Sequence, residues 1–298
     1  MKTNILHNIV ILLATVAVCS CSSENDQQPP AQGLQPMTFR VTYPYESRAT
    51  DTAFEEGDSI GLFVANDSVP LEPSGNLVNN AMITLNNGTW AAASTLYWSL
   101  GTFNAYAYYP YISGISSTDM LPFSVSTDQS KPVPQTTGGK SLGGYEASDL
   151  LYASAKGLKA SAAPIDLRFR HIMSRVRVRI VKGEDFKGEL PANAKVYIHN
   201  TVTSATVDLA AGVVTRDPKG KIATIRARQE DDHTFAAIVV PQRIESRQPL
   251  VEVEMNGVSY MYEGKFAFKP GVQHRINIIV SDNPDQVKIE IGGEIVSF

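Results

Sequence analysis

One serine in this sequence stands in a pattern that is typical of a catalytic nucleophile. Residues 57–61 read Gly-Asp-Ser-Ile-Gly and match G-x-S-x-G, in which the serine occupies a sharp turn between a strand and a helix. The apolar run at residues 60–64 predicts instead that Ser59 begins a strand. Because no helix is expected after this serine, the pattern does not indicate catalysis.

The remaining candidate motifs lack the spacing that their chemistry requires. Residues 139–141 read Gly-Lys-Ser, like the end of a phosphate-binding loop, but Pro134 occupies the position of the first glycine. The acidic run at 55–58 most simply forms a turn, with weak calcium binding as the alternative. Four histidines are too scattered to predict a metal site, namely His171, His199, His233 and His274. We expect no enzyme activity, no metal and no cofactor.

Cys21 is the residue with the clearest predicted chemistry, which is acylation. Lys2 precedes an apolar run at residues 9–18, which is shorter than the roughly 20 residues that span a bilayer. Residues 18–21 then read Val-Cys-Ser-Cys and match the lipobox of bacterial lipoproteins. We predict a signal peptide at residues 1–20 and a lipid such as palmitate on Cys21. An ordinary signal peptide with two incidental cysteines is the alternative.

The segment after Cys21 predicts a tether at the cell surface. Residues 22–34 are polar and bury too little apolar surface to fold, so we assign residues 21–36 to a flexible tether. The acidic stretch at 22–26 resembles the signal that sends some lipoproteins of Gram-negative anaerobes to the outer face of the outer membrane. We therefore expect a lipid-anchored protein exposed at the cell outer membrane.

Composition limits the partners and the means of stabilisation. The formal net charge is −4, with 26 Lys and Arg against 30 Asp and Glu, which argues against a nucleic-acid partner. Both cysteines lie at the leader junction, so the folded part has no pair for a disulfide and depends on its apolar cores. A chain of 298 residues is long enough for two domains or for one large all-β unit.

Alternating apolar and polar residues predict strands through most of the chain. Clear examples are residues 37–43, 103–109, 165–171 and 175–181. The Asn256-Gly257 pair between two apolar runs predicts a hairpin turn, and no long helix is predicted. Short strands separated by turn residues favour antiparallel β-sandwiches. The turn-rich stretch at 182–193 places an N-terminal domain at 37–185 and a C-terminal domain at 186–298.

Two sets of side chains have a functional alternative to a structural role. An arginine row is predicted on one face of neighbouring strands, either as a solvated face or as a contact for an acidic partner or glycan: Arg168, Arg170, Arg175, Arg177 and Arg179. Aromatic residues in an exposed row would suit a glycan-binding surface lipoprotein. The candidates for that row are Tyr106, Tyr108, Trp90 and Trp98.

The order of several short motifs resembles the fimbrillin family. In the first half they are Phe-Glu-Glu-Gly-Asp-Ser-Ile-Gly-Leu-Phe at 54–63, Tyr-Trp at 97–98, Phe-Asn-Ala-Tyr-Ala-Tyr-Tyr-Pro-Tyr at 103–111, Asp-Leu-Leu-Tyr-Ala at 149–153 and Leu-Arg-Phe-Arg-His-Ile-Met-Ser-Arg-Val at 167–176. Val-Val-Pro-Gln at 239–242 and Gly-Val-Ser-Tyr at 257–260 continue the order. Together the motifs cover nearly all of residues 37–280.

The resemblance implies two transthyretin-like antiparallel β-sandwiches in tandem and a subunit of an adhesive pilus, or fimbria. In polymerising members a trypsin-like protease cuts after an arginine behind the first strand, and a C-terminal strand of the next subunit fills the groove. The matching bond here is Arg48-Ala49. The matching donor segment is 286–298, with apolar residues Val287, Ile289, Ile291 and Ile295. The implied partners are other fimbrillin subunits, the protease and the outer membrane.

The residues leave three alternatives open. Arg48 is equally well explained as an exposed surface charge, because it lies in a polar loop. The C-terminal segment is equally well explained as the ordinary last strand of the second domain. Within the family, an uncleaved anchor or tip subunit is the alternative to a polymerising subunit.

Overall fold

The structure is a computed structural model that describes residues 34–44, 53–133 and 141–296. Strands in the first half are β1 (Phe39–Thr42), β2 (Ser59–Asn66), β3 (Val78–Asn86), β4 (Thr89–Ala92), β5 (Phe103–Tyr109), β6 (Leu121–Ser124), β7 (Pro132–Val133), β8 (Leu142–Gly143), β9 (Leu151–Leu158), β10 (Ile165–Arg168) and β11 (Arg170–His171). A short 3-10 helix covers Glu146–Ser148. Across the described ranges, no helix is long and apolar enough to cross a membrane.

Strands in the second half are β12 (Ser174–Lys182), β13 (Lys195–Val202), β14 (Ser204–Asp208), β15 (Val213–Arg216), β16 (Ile222–Arg226), β17 (Arg228–Asp231), β18 (Thr234–Val239), β19 (Gln242–Met255), β20 (Val258–Phe268), β21 (Val272–Val280) and β22 (Lys288–Val296). The predicted all-β class is confirmed. The predicted start of a strand at Ser59 is also confirmed, because Ser59 is the first residue of β2.

The first half is organised around a six-stranded sheet in the order β11-β9-β5-β2-β3-β4. A separate parallel pair, β1 with β10, packs against one face of that sheet. Between them lies the N-terminal core, which includes Ile60, Leu62, Val64, Phe103, Ala105, Leu151, Ile165 and Leu167. The six-stranded sheet thus needs the β1–β10 pair to keep this face away from water.

The opposite face of the same sheet is buried as well. Leu62 and Val64 of β2 point into the N-terminal core, whereas Phe63 and Ala65 point into a second and larger cluster, the main core. Successive side chains of a strand point to opposite faces, so a strand covered on both sides is apolar throughout. This explains the continuous apolar run at 60–65 that follows Ser59.

The second half consists chiefly of two facing sheets. One has five strands in the order β17-β18-β12-β21-β22, and the other has four strands in the order β16-β13-β19-β20. Their inward side chains belong to the main core, for example Val178, Ile198, Phe235, Val253 and Ile278. Two facing sheets in this half, and a sheet covered by a strand pair in the first, are compatible with the predicted tandem sandwiches.

The sheets change earlier in the chain than the predicted boundary between residues 185 and 186. β12 pairs with β18 and β21, so Ser174–Lys182 belongs to the sheets of the second half. The two halves also share structure, because β6 of the first half joins β14 and β15 in a three-stranded sheet. The turn-rich stretch at 182–193 is therefore a connection between two strands of the second half.

Two further predictions about local geometry have clear outcomes. The Asn256-Gly257 hairpin is confirmed, because both residues have positive φ values, of 50° and 76°, and they join β19 to β20. The description of the sheets as antiparallel holds for most pairs, but β1 with β10 and β12 with β21 run parallel. Parallel neighbours need long crossover connections, which alternation along one strand does not reveal.

The burial of β2 on both faces predicts that two adjacent substitutions are both costly. Leu62 and Phe63 are each fully buried, in different cores. We expect Leu62→Ala to lower the free energy of unfolding by about 2–5 kcal/mol and Phe63→Ala by about 3–5 kcal/mol. Val69→Ala is the control, since Val69 is 53% exposed, and should change it by less than about 0.5 kcal/mol. Chemical denaturation measures all three, and a costless change at either buried position would contradict the two-core arrangement.

Candidate functional site

The first candidate element is β1, a four-residue strand with one ladder partner among the described residues. Its residues pair in parallel with β10, from Phe39 with Ile165 to Thr42 with Arg168. The Ile165 amide donates to the Thr38 carbonyl at 2.8 Å, and the Phe169 amide donates to the Thr42 carbonyl at 3.0 Å. β10 forms no other ladder in the described chain, so β1 satisfies its backbone.

Side chains on β1 and beside it cover the N-terminal core. Phe39, Val41 and Tyr43 are half-buried and pack on that core, and Met37 is buried in it. Arg40 and Thr42 alternate with them and are exposed. The predicted alternation of residues 37–43 is therefore confirmed, with the apolar set facing inward.

An aromatic cluster stands at the end of β1. The ring centroids of Tyr43 and Phe54 lie 5.0 Å apart, with the rings nearly perpendicular. Phe54 makes similar edge contacts with Trp90, Tyr109 and Phe169 at 5.1–5.5 Å. Residues 45–52 lie between Tyr43 and Phe54 in the chain and outside the described residues, so the two rings meet across the segment that contains Arg48. Edge-to-face pairs of this kind stabilise by about 0.5–1.5 kcal/mol each.

The second candidate element is β22, which lies at the edge of the five-stranded sheet. It pairs antiparallel with β21, from Ile279 with Lys288 to Val272 with Val296. The ladder is interrupted by a shift of register between His274 and Ile276, opposite Gly292 and Gly293. Gly293 has a φ of 98°, which glycine adopts without strain. The C-terminal segment is thus docked as the last strand of its sheet.

Apolar residues of β22 are incompletely buried. Val287 and Ile289 are half-buried against the main core. Ile295 is half-buried too, whereas Ile291 is 62% exposed and Val296 is 72% exposed. An edge strand with exposed apolar side chains and one free backbone edge is a ready template for pairing with another chain.

The distal end of β22 is held by polar contacts around a buried histidine. His274 is 1% exposed and packs between Phe266 and Phe268. Its Nε2 accepts a hydrogen bond from the Lys269 amide at 3.1 Å. Its Nδ1 lies 3.5 Å from Glu294 of β22, and Glu294 also binds the Lys269 ammonium at 2.7 Å. Glu294 lies 20 residues after His274 in the chain, so no local sequence pattern indicates this contact.

The predicted site residues have different outcomes. Cys21, Arg48 and Ala49 lie outside the described residues, so acylation and cleavage remain predictions. Val287, Ile289, Ile291 and Ile295 lie on or next to β22, docked as described above. The same position fits an ordinary last strand and a donor segment, so their donor role also remains a prediction.

The weak chemical motifs have structural roles. The Ser59 hydroxyl lies 2.9 Å from the Thr84 hydroxyl on the neighbouring strand. The acidic run at 55–58 forms a turn, in which Asp58 accepts a hydrogen bond from the Glu55 amide at 2.7 Å. His171 is buried with its Nδ1 2.9 Å from Asp149. In the part of the chain that the structure describes, no group of three or more His, Cys, Asp or Glu residues is arranged to hold a metal ion.

The alternative in which aromatic side chains form an exposed row for glycans is wrong. Tyr106, Tyr108 and Trp98 are at most 7% exposed, and Trp90 is half-buried against the N-terminal core. The Tyr108 hydroxyl lies within hydrogen-bond distance of two acceptors, Asn80 Oδ1 at 2.6 Å and the Ile112 carbonyl at 2.9 Å, and burial raises the pKa of Tyr108. Tyr106 and Tyr108 point away from the N-terminal core as predicted, but that face packs on the main core instead of meeting solvent.

The predicted arginine row is divided between different sheets. Arg168 and Arg170 lie on β10 and β11, whereas the other three arginines lie on β12. Arg175 and Arg177 both bind the carboxylate of Glu230, at 2.7 Å and 2.6 Å. Glu230 follows Arg175 by many residues in the chain, so no local pattern indicates this ion-pair network. The β12 arginine of this row that is not bound to Glu230 is Arg179, which is exposed on the outer face of the five-stranded sheet.

The environment of His274 predicts a pH dependence of stability. Burial lowers the pKa of His274 below its usual value, while Glu294 raises it and Lys269 lowers it further. The Lys269 ammonium holds the pKa of Glu294 below its usual range, so Glu294 stays ionised between pH 7.5 and pH 5. A depressed histidine pKa means that its stabilising contribution is complete above about pH 6.5 and is lost as the pH falls.

We therefore expect the wild-type chain to lose its stability advantage over His274→Gln as the pH falls from about 7.5 to 5. Glutamine retains an acceptor for the Lys269 amide but does not titrate. Urea unfolding of both proteins across this range measures the difference, and the other histidines cancel because both proteins contain them. An advantage that stays constant or grows in acid would contradict the assigned burial of a neutral His274.

Comparison with known proteins places this architecture among fimbrial proteins. The fimbrillin-like family matches residues 47–296. The chain is 29% identical over 186 residues to "Putative fimbrium tip subunit Fim1C" of Bacteroides ovatus, covering 58% of this chain and 34% of that protein. It is 25% identical over 210 residues to "Putative fimbrium subunit Fim1C" of Bacteroides uniformis, covering 68% of this chain and 65% of that protein. The chain thus spans less than two thirds of either relative.

Solved structures share the fold at low sequence identity. A crystal structure of a "putative cell adhesion protein" from Bacteroides uniformis has a TM-score of 0.68 and 20% identity, covering 90% of this chain and all of that chain. A second such protein, from Bacteroides ovatus, has a TM-score of 0.65 and 18% identity, covering 89% and 98%. These likenesses establish the fold. The match over residues 47–296 establishes the family, which is one of fimbrial structural subunits and not of enzymes: this chain belongs to the fimbrillin-like family.

Proposed function

We propose that this chain is a lipid-anchored subunit of a cell-surface fimbria, which assembles by strand exchange and serves in adhesion. The observation that carries the proposal is the position of β1. It is a short strand that closes the N-terminal core, pairs only with β10 in the described chain, and leads directly into the segment of Arg48. Cleavage after Arg48 would sever β1 from the rest of the fold.

The energy of such an exchange is comparable with the stability of a domain. Full burial of an apolar side chain contributes about 1.5–3 kcal/mol, so Met37, Phe39, Val41 and Tyr43, with three of them half-buried, contribute roughly 4–8 kcal/mol. Whole domains are stable by about 5–15 kcal/mol. An empty groove would therefore be strongly unfavourable, and a strand from a neighbouring subunit would restore both side-chain burial and backbone hydrogen bonds.

The C-terminal segment has the properties of the replacing strand. Ile289 and Ile291 alternate with Lys288 and Glu290, as the apolar and polar residues of β1 do. Ile291 is exposed in the isolated chain and would gain burial in a groove. A head-to-tail contact between unlike surfaces does not close on itself, so repetition would extend a filament. The partners are then further fimbrial subunits and a trypsin-like protease.

The lipid on Cys21 would hold the precursor at the outer membrane until cleavage releases it. The anchoring sequence and Arg48 lie on the same side of the cut, so cleavage would separate the lipid from the folded part. In this order of events, the same chain would be lipid-anchored before cleavage and part of the fimbria after it. An adhesive role is supported by the similar folds of proteins that are named for cell adhesion.

A tip or anchor subunit is the second candidate role. The observation that favours it is the relative from Bacteroides ovatus, which is named as a tip subunit. A subunit at one end of a fibre would accept or donate a strand only once. In that case Arg48 would remain intact, or the C-terminal segment would stay docked on β21.

Limited proteolysis of the purified precursor tests cleavage and assembly together. We expect trypsin at low dose to cut once near Arg48 and the cut protein to form polymers visible by size-exclusion chromatography and electron microscopy. Arg48→Ala should stay uncut and monomeric, while Arg247→Ala, which changes an exposed arginine on β19, should behave as wild type. A precursor that resists cutting, or one that is cut and stays monomeric, would favour the tip or anchor role.

A synthetic peptide of residues 286–298 tests the donor segment without altering the folded chain. We expect the peptide in excess to cap cut subunits and to stop polymer growth, because it fills the groove that β1 vacates. A peptide with Ile289→Asp should fail, since a carboxylate would be buried without a partner. The matched peptide with Lys288→Asp should still cap, because that side chain points outward. Equal activity of both variant peptides would refute side-chain insertion.

A further inference from the structure

A basic depression lies on the outer face of the five-stranded sheet. Its volume is about 360 Å³, and its lining consists of Arg177, Arg179, Thr234, Arg275, Ile276, Asn277 and Gly292. Three guanidinium groups, one hydroxyl and one amide thus border a single concave space. Such a donor-rich lining is unusual on a chain whose formal net charge is −4.

The positive charge of the depression is only partly compensated. Arg177 shares Glu230 with Arg175, so one carboxylate serves two guanidinium groups, and Asp231, which is hydrogen-bonded to Thr234, also interacts electrostatically with Arg177. Arg179 and Arg275 are exposed and form no ion pair within the described residues. Arg177 and Arg275 are also direct cross-strand partners, in the register of β12 with β21. Like charges opposite each other destabilise a sheet, so the arrangement has a cost that an anion would offset.

The interruption of β22 keeps Arg275 uncovered. Arg275 lies between His274, which pairs with Glu294, and Ile276, which pairs with Ile291, so it faces the two glycines at the register shift. A Cβ atom at Gly292 would lie only 3.4 Å from the Arg275 Cβ atom. A side chain at this position would thus occupy the space in front of the arginine. Glu290 of β22 pairs with Asn277, and its carboxylate lies 3.5 Å from the Asn277 side-chain amide.

The depression must recognise its ligand through side chains. β12, β18 and β21 each have neighbours on both sides in the sheet, so their backbone groups are committed to ladders. Addition of a peptide strand is therefore blocked here. Planar guanidinium groups bind carboxylate and sulfate oxygens in paired hydrogen bonds. The Asn277 side-chain amide, which lies 3.5 Å from Glu290, has further donor and acceptor capacity for sugar hydroxyls.

We infer that this depression binds an acidic saccharide, carboxylated or sulfated, with Arg179 and Arg275 as its anion-binding residues. A volume of about 360 Å³ lies in the range of small-ligand sites, roughly 300–1,000 Å³. The site differs from the aromatic row considered as an alternative from the sequence, because it depends on charge and not on stacking. It uses neither Cys21 nor Arg48, but Gly292 belongs to the proposed donor segment, so the depression is complete only while β22 is docked on β21.

Calorimetric titration of the uncut full-length chain with a heparin-derived octasaccharide tests the inference. We expect binding that weakens with added salt and that weakens about tenfold in Arg275→Gln and in Arg179→Gln, the loss typical of one charge-assisted pair. Arg243→Gln, at an exposed position of another sheet, is the matched control and should bind as wild type. A neutral dextran oligosaccharide should not bind.

Thermal unfolding distinguishes a binding role from a structural one. Arg275→Gln should leave the melting temperature unchanged or raise it, because it removes one of two like charges that are paired on neighbouring strands. A lower melting temperature would assign Arg275 to structure and overturn the inference. Absence of octasaccharide binding would overturn it as well, and so would equal binding by Arg243→Gln and Arg275→Gln. A poly-glutamate peptide that binds where the octasaccharide fails would redirect the site to an acidic protein.

Discussion

The rest of the structure depends on the cover that β1 and β10 place over the six-stranded sheet. That sheet is apolar on both faces, because its central strands contribute alternate side chains to two cores. One face is covered by the main core, which draws on strands from both halves of the chain. The other face is covered by a parallel pair in which β1 has only four residues. β1 is therefore needed to keep the N-terminal core away from water, yet it is held in the fold by only a few residues.

This constraint connects the two ends of the chain. β1 is amphipathic, and its apolar side chains cover a core. β22 is also amphipathic, but its apolar side chains are only partly buried, with Ile291 and Val296 exposed. The aromatic contact between Tyr43 and Phe54 joins residues on either side of Arg48 in the sequence, so β1 would keep some affinity for its groove after a cut. The balance between that affinity and the gain of burial for a neighbour's tail would determine whether subunits exchange strands.

Much of the fold was predictable from local alternation, and the errors share one cause. Residues 103–109 and 37–43 point as predicted, because a strand has a strict period of two. Alternation does not show what covers each face, so it left open whether Tyr106 and Tyr108 meet solvent, although the main core covers them. It also does not show pairing between distant segments. For that reason β12 was assigned to the first domain, Arg168 and Arg175 to one face, and the parallel partner of β1 went unrecognised.

The same limit applies to the candidate sites. The amphipathic C-terminal segment was recognisable from sequence, whereas the pairing of Arg177 with Arg275 and the position of His274 beside Glu294 depend on the register of β21 with its neighbours. The most direct test of the central claim is hydrogen exchange at the Ile165 and Phe169 amides, which β1 protects in the intact chain. We predict protection before cleavage, its loss once the N-terminal fragment is removed, and its return in assembled fibres. Protection that persists after the fragment has been removed from an isolated subunit would contradict the claim that β1 closes the groove.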